Sequence, residues 1–366
     1  MILILLNLAK KNLQRLFFLL FILFAMPAFS LTVHGLYDAQ VPIDDQSNTQ
    51  VATAKKLGIA QVLVKVTGQT QSLNNARVRA AINNAEAYLD HFSFATKMLN
   101  DESQAVLKLA FNPSQINELI RQSKLPIWGK DRAAVLVWLV EEQQGVRQII
   151  NDNSHPMVAQ IMLQAQQRGM PLLWPLLDLE DQVAIDGSAL WGLFRETIVN
   201  ASSRYQADAV LVGRLFQDQA QQWHVEWNFW LDGAEQQWSS EGADLVDLVS
   251  PMQDRLTSSL VAKFALIEDD PSASLGTHDS AIIKVEQVTD FEDYVQLQAL
   301  LANLDGVEKL QLYSANGSTL AYRVFAQSNL SQVKLTLDLK RRLRAVDDAA
   351  LLFDSEVEPV WLFKWH

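Results

Sequence analysis

Two nearly uninterrupted apolar runs constrain this chain most: "AAVLVWLV" at 133–140 and "ADAVLVGRL" at 207–215. A strand with one wet face alternates polar and apolar side chains. A strand apolar at successive positions therefore belongs inside a sheet covered by helices on both faces, the usual setting of parallel strands. Between the two runs the sequence predicts a helix after Ser154-His155-Pro156 with Val158, Ile161, Met162 and Ala165 inward. A strand "PLLWPLL" at 171–177 and a helix carrying Leu190, Trp191, Phe194 and Ile198 follow. Strands and helices alternating in this order predict right-handed β-α-β units.

Beyond the second run, "QQWHVEWNFWLDGAEQQW" at 221–238 holds four of the ten tryptophans. Trp223, Val225, Trp227, Phe229 and Leu231 alternate with His224, Glu226, Asn228 and Trp230, the period of two of a strand with one dry face. Asp232-Gly233 is a hairpin turn signal, and Leu256, Leu260 and Phe264 recur on a final helix. Three of the four indoles are thus expected in a core shared with that helix. Trp230 is expected on the polar side, where it could stack on a ligand.

The central module, 131–267, is flanked by two others. In 31–128 the sequence predicts a strand in "LTVHGLYDAQVPI" and a helix with Ile59, Val62, Leu63 and Val66 on one stripe, ended by Gly68. A second helix with Val78, Ala81, Ile82, Ala85 and Leu89, a strand "AVLKLAF" and a helix opened by Asn112-Pro113 complete it. Residues 268–280, rich in Pro, Ser, Gly and acid, read as a linker. Residues 281–366 run β-α-β-β-α-β, which predicts a ferredoxin-like module. The predicted fold class is multi-domain α/β and α+β: a central three-layer α/β module with parallel strands and a Trp-rich hairpin, preceded by an α/β module and followed by the ferredoxin-like one.

Residues 1–30 have the pattern of a cleavable signal peptide: Lys10, Lys11 and Arg15, an apolar run from Leu16 to Phe29, and Ala28-Phe29-Ser30 as cleavage signal. The run is shorter than the roughly 20 residues of a spanning helix, so no membrane span is expected after cleavage. With no cysteine, the chain has neither disulfides nor a lipid-modified cysteine, and a Gram-negative periplasm fits. The leader holds three basic residues and no acid, so the remainder carries 27 basic against 42 acidic residues, formally −15. That balance opposes phosphate backbones, and nucleic acid is not an expected partner.

The six histidines are scattered, with no H-E-x-x-H, and no glycine-rich phosphate loop, dinucleotide fingerprint or G-x-S-x-G elbow occurs. No metal or cofactor is expected. One carboxylate group, Asp178, Glu180, Asp181 and Asp186, follows the strand that ends at Leu177, where ligands gather in open α/β sheets. Its plain alternative is a solvated loop with Asp186 or Ser188 capping the next helix. Lys340, Arg341, Arg342 and Arg344 are expected to close a helix C-terminus, where cations favour the macrodipole.

The strand "LTVHGLYDAQVPI", the helix end "QVLVKVTG", the connector "LPIWG", and "RAAVLVWLV" with "ADAVLVGRL" together resemble the proteobacterial proteins labelled domain of unknown function 2066, over roughly 31–267. That resemblance implies a secreted envelope protein with no established activity. The layout of the middle module is also similar to the α/β domains of periplasmic partner-binding proteins, such as activators of cell-wall synthases and the amino-terminal domain of the Tol system's β-propeller protein. The expected function is a non-catalytic periplasmic module that binds an envelope protein partner. The alternative is a glycan or small-ligand binder using Trp230, His224, Asp178, Glu180 and Asp181, and a third reading is a carboxylate-dependent hydrolase.

Overall fold

The computed structural model describes residues 33, 35–99, 102–152, 154–265, 280–326, 330–346 and 358–366. The expected signal segment and nearly all of the expected linker lie outside the described residues. Leu31–His366 forms a compact unit whose described residues include three sheets.

The first sheet is antiparallel, ordered β1-β3-β2, from β1 (Asp38–Pro42), β2 (Leu89–Leu99) and β3 (Glu102–Phe111). Helix α1 (Asn48–Thr67) buries Ile59, Val62, Leu63 and Val66 in a cluster with Leu107, Leu109 and Phe111. Gly68 ends α1 at φ 69°, where a Cβ would stand 2.6 Å from the Trp128 ring. Glycine is required twice there, for conformation and for space. The second helix is shorter than its apolar spacing predicts: α2 (Ala76–Asn83) gives way to a 3-10 turn and then to β2. Phe92, Phe94 and Thr96 favour a strand, and pairing with β3 overrides the helical spacing. Asn112 caps α3 (Pro113–Gln122) as expected, accepting from the Gln115 amide at 3.1 Å.

The central sheet is ordered β5-β4-β7-β8-β9, with β6 also paired to β4. Its strands are β4 (Val135–Gln143), β5 (Val146–Ile150), β6 (Leu172–Leu173), β7 (Ala209–Gln217), β8 (Trp223–Leu231) and β9 (Ala234–Gly242). As the apolar runs predict, β4 and β7 are parallel neighbours, and β4 is buried on both faces. Val135, Val137 and Leu139 point to α4 (Pro156–Arg168) and α8 (Val249–Phe264). Leu136, Trp138 and Val140 point to a second layer with α6 (Gly187–Trp191) and α7 (Arg195–Ser202). The expected helix over 190–198 is split between α6 and α7 by Leu193 at φ 52°. "PLLWPLL" shrinks to β6 because Pro171 and Pro175, lacking amide hydrogens, bracket it. Strand β5 was not predicted; Gln144 and Gly145, both at positive φ, turn the chain back from β4.

In the third sheet the order is β11-β12-β10-β14-β13. Its elements are β10 (Ser280–Glu286), α9 (Phe291–Ala302), β11 (Val307–Asn316), β12 (Thr319–Ala326), α10 (Leu330–Asp338), β13 (Leu343–Ala345) and β14 (Val360–Trp365). The β-α-β-β-α-β succession is present, with β13 added before the last strand. The last strand, β14, therefore lies between β10 and β13, antiparallel to β13 and parallel to β10, where a ferredoxin-like sheet would have it antiparallel. The basic stretch also lies differently from its expected place: α10 ends at Asp338, so Lys340–Arg344 lead out of the helix into β13.

Arg132 joins the first two sheets' helices. Its five N–H bonds go to the carbonyls of Lys65, Trp128, Gly129, Arg168 and Gly169 at 2.6–2.9 Å, and it stacks 4.0 Å from the Trp128 ring. Burial pushes the guanidinium down to about 9, against the nearby Asp305 carboxylate, which favours its charge.

Candidate functional site

The acidic loop begins where β6 ends. Leu177 takes φ 52°, and Asp178 then caps the short helix α5 (Leu179–Ala184), accepting from the Asp181 amide at 3.1 Å. An aspartate in this place offers the helix both an acceptor and a favourable charge.

All three carboxylates converge on one cation. Arg204 binds Asp178 in the bidentate manner, Nη1 to Oδ1 at 2.7 Å and Nη2 to Oδ2 at 2.8 Å. Its Nη1 also donates to Asp181 at 3.0 Å, and Glu180 lies 3.5 Å from Nη2. Asp181 is buried at 1% exposure and accepts further bonds from the Leu177 amide at 2.9 Å and the Tyr205 hydroxyl. The Tyr205 oxygen accepts from the Leu176 amide at 2.8 Å. Arg204 therefore holds the Asp178 carboxyl well below the usual carboxylate range. Burial, with the bond to Asp181, pushes the Tyr205 phenol up to about 12. At neutral pH the cluster comprises ionised Asp178, a charged Arg204 and a protonated Tyr205, tied so as to fix α5 against α7. Asp186 caps α6 instead, accepting from the Ala189 amide at 2.7 Å, as the plain alternative expects.

His224 and Trp230 are not brought together. They stand six residues apart on one strand, roughly 20 Å at strand rise. His224 lies between Asp218 at 3.0 Å and Glu241 at 3.5 Å and stacks on Phe216. The hydrogen bond from His224 lowers the Asp218 carboxyl. Trp230 corrects the expectation of an exposed indole: it is 6% exposed, in the cluster of Trp138, Ile198 and Val212. At Trp230 the face opposite the dry core is covered by a second apolar layer under α6 and α7. One strand cannot show by its own pattern that its second face is covered.

Sequence reasoning missed Arg204 and Tyr205, which lie 23 to 28 residues beyond the loop and carry no motif. It also missed Trp174, which with Asn151, Asp152 and Met162 lines an open cavity of about 460 Å³ beside β6. Around the acidic loop, large apolar side chains stand in solvent: Leu176 68%, Leu179 76%, Val183 81%, Phe194 60% and Val199 47% exposed. Among the described residues, no cluster of three or more histidines and carboxylates is arranged to hold a metal ion. No described helix is long and apolar enough to cross a membrane.

Residues 30–129 match the family model "Domain of unknown function (DUF8605)". The model found is not that of family 2066, expected from the sequence over roughly 31–267, and the match stops short of the central sheet. No curated protein matches the chain. Among solved structures, it is similar to the lipoprotein GNA1162 from Neisseria meningitidis, with 17% identity, a TM-score of 0.23, and coverage of 36% of this chain and 94% of that one. The LpoB C-terminal domain from Salmonella enterica gives 16% identity, a TM-score of 0.22, and coverage of 30% and 80%. A formyltetrahydrofolate deformylase from Pseudomonas putida KT2440 gives 9% identity, a TM-score of 0.18, and coverage of 62% and 92%.

Proposed function

We propose that this chain is a non-catalytic protein of the periplasm that works by binding another protein of the cell envelope. The observation that carries the reading is the apolar surface on α5 and α7. Leu179 and Val183, four residues apart and each at least 76% exposed, project from a helix that Asp178, Asp181 and Arg204 hold rigidly. Clustered apolar side chains held in solvent on fixed elements characterise a surface that is covered in a complex. The location rests on the leader-like residues 1–30.

A photo-crosslinking residue at Val183 tests this in intact cells. The expected result is one dominant protein adduct, lost when Leu179→Asp is added. Absence of any protein adduct from Val183, with the protein folded and exported, defeats the reading.

A second reading, glycan binding, is favoured by the Trp174 cavity, which offers an indole beside Asn151 and Asp152. Sugars stack on such rings while carboxylate and amide groups take the hydroxyls. Titration with peptidoglycan fragments would then shift indole fluorescence in the native protein and not in Trp174→Phe.

A further inference from the structure

The third sheet and its two helices have an interior of their own. Its core cluster runs from Ile283 to Trp365 and takes no side chain from the first two sheets. Among the described residues, Leu335 and Leu339 are the apolar side chains it packs against the core of the central sheet. The other contacts are polar. Asp305, between α9 and β11, accepts the Asp131 amide at 3.1 Å; Lys340, beyond α10, pairs with the Asp131 carboxylate; and Arg341 donates to the Gln206 carbonyl at 2.9 Å. A polar interface with little apolar contact leaves a domain free to move against its neighbours.

Asp305 sits tightly on the connector that follows the first module. A Cβ on Gly129 would stand 2.1 Å from its Oδ2, so the carboxyl occupies space that only glycine leaves. The charged and titratable groups that face it are Asp131, Lys130, Lys340, Arg132 and Tyr37. Burial and then the Asp131 charge push the Asp305 carboxyl up, against the pull of Lys130 and Lys340. Beside it, Asp131 Oδ2 is buried and has no hydrogen-bond partner among the described residues. Two neighbouring carboxylates, one of them with an orphan buried oxygen, are completed by a proton.

We propose that the third module is a proton-coupled latch: it closes on residues 129–132 by seating Asp305 with a proton taken from solvent, and it loosens toward neutral pH. The proton lies between Asp305 and Asp131, where Asp131 Oδ2 lacks a donor. The sign follows from burial. Undocked, Asp305 is an ordinary solvated carboxylate; docked, it is raised, so the closed state binds more protons. Docking therefore strengthens as pH falls from the raised value to the ordinary carboxylate range, and Asp305 adds no pH dependence outside that window. This device goes beyond the protein-binding reading and does not depend on α5.

The Asp131 amide is the reporter, because opening removes its acceptor. Its exchange in the full chain, divided at each pH by the rate for an unstructured peptide, is followed from about pH 7 to about pH 5. One proton per closure limits the change to about tenfold per pH unit, and a rise in protection of at least about threefold is expected over the range. Asp305→Asn, which keeps an acceptor for the amide and cannot titrate, should give a flat profile; the parent profile decides alone if that variant fails to fold. Leu335→Ala combined with Leu339→Ala should lower Asp131 protection tenfold or more while amides of β10 and β12 keep theirs, since the module opens as a body. A flat parent profile, an equal slope in Asp305→Asn, no effect of the two alanines, or loss of protection in β10 and β12 together with Asp131 would each overturn the proposal.

Discussion

Two carboxylate clusters in this chain are built from the same kinds of residue and settle into opposite electrostatic states. Around α5, Asp178, Glu180 and Asp181 surround Arg204, with Tyr205 and backbone amides as further donors. Elsewhere, Asp131 and Asp305 meet Lys340, whose ammonium pairs with Asp131 where both side chains are nearly inaccessible, and the charges of Lys130 and Arg132 also reach Asp305. Asp305 accepts the Asp131 amide at 3.1 Å, and Asp131 Oδ2 has no hydrogen-bond partner among the described residues. In the first cluster the arginine pulls Asp178 below the ordinary carboxylate range; in the second, burial and then the Asp131 charge push Asp305 above it. The number of donors per oxygen and access to water set the sign, and neither quantity is written in the local sequence.

The largest effect should come from removing the cation that pairs with Asp131. Lys340→Met leaves the buried Asp131 without its ion-pair partner, and breaking a buried pair costs about 3–5 kcal/mol. Denaturant midpoints at neutral pH measure it; a loss below about 1 kcal/mol would mean that water reaches Asp131 and that the two clusters are alike. Next comes Asp181→Ala, which strands the Leu177 amide, the Tyr205 hydroxyl and one Arg204 donor. Hydrogen bonds to a buried carboxylate contribute about 1.5–3 kcal/mol each before relaxation, so a net loss of about 3 kcal/mol is expected.

Acid sharpens the contrast because the two shifts carry opposite signs. Asp178 is lowered in the fold, so its contribution is present above the unfolded carboxylate range and is lost as pH falls through its folded value. Asp305 is raised, so its ionisation at neutral pH costs stability, and that cost fades as pH falls. Asp305→Asn keeps the acceptor for the Asp131 amide and removes the charge. It should raise the denaturation midpoint at neutral pH, by an increment that shrinks on acidification. In the same acid range, amide exchange over 178–205 should accelerate in the parent protein.

Legibility followed the range of the interaction. Strands β4, β7 and β8, the Gly68 stop, the Asn112 cap and the Asp232-Gly233 turn were readable because each depends on neighbours within a few residues. Strand β2 is missed by the sequence reading, which puts its first residue, Leu89, on a helix, since Ala85 and Leu89 continue a helical spacing that only pairing with β3 overrules. Trp230 was misplaced for the same reason: helices α6 and α7, which cover it, come from 187–202. At the acidic loop the carboxylates were found and their meaning was not, because Arg204 and Tyr205 arrive from the far end of α7.

The smallest expected effect tests whether the exposed cluster owes its order to geometry or to charge count. Glu180 lies 3.5 Å from Arg204, its side chain is 69% exposed, and that side chain takes no part in the cap of α5. If net charge around Arg204 held α5 in place, Glu180→Gln would loosen the helix almost as much as a change at Asp178. If the bidentate and buried bonds hold it, the glutamine variant should fall within about 0.5 kcal/mol of the parent, as surface pairs do. Tyr205 fluorescence is obscured by the tryptophans, so amide exchange at Asp181 and Gln182 is the suitable readout. Unchanged protection there would make Glu180 a solvated neighbour of the cluster, and leave Asp178 and Asp181 as the two carboxylates that position the apolar face of α5.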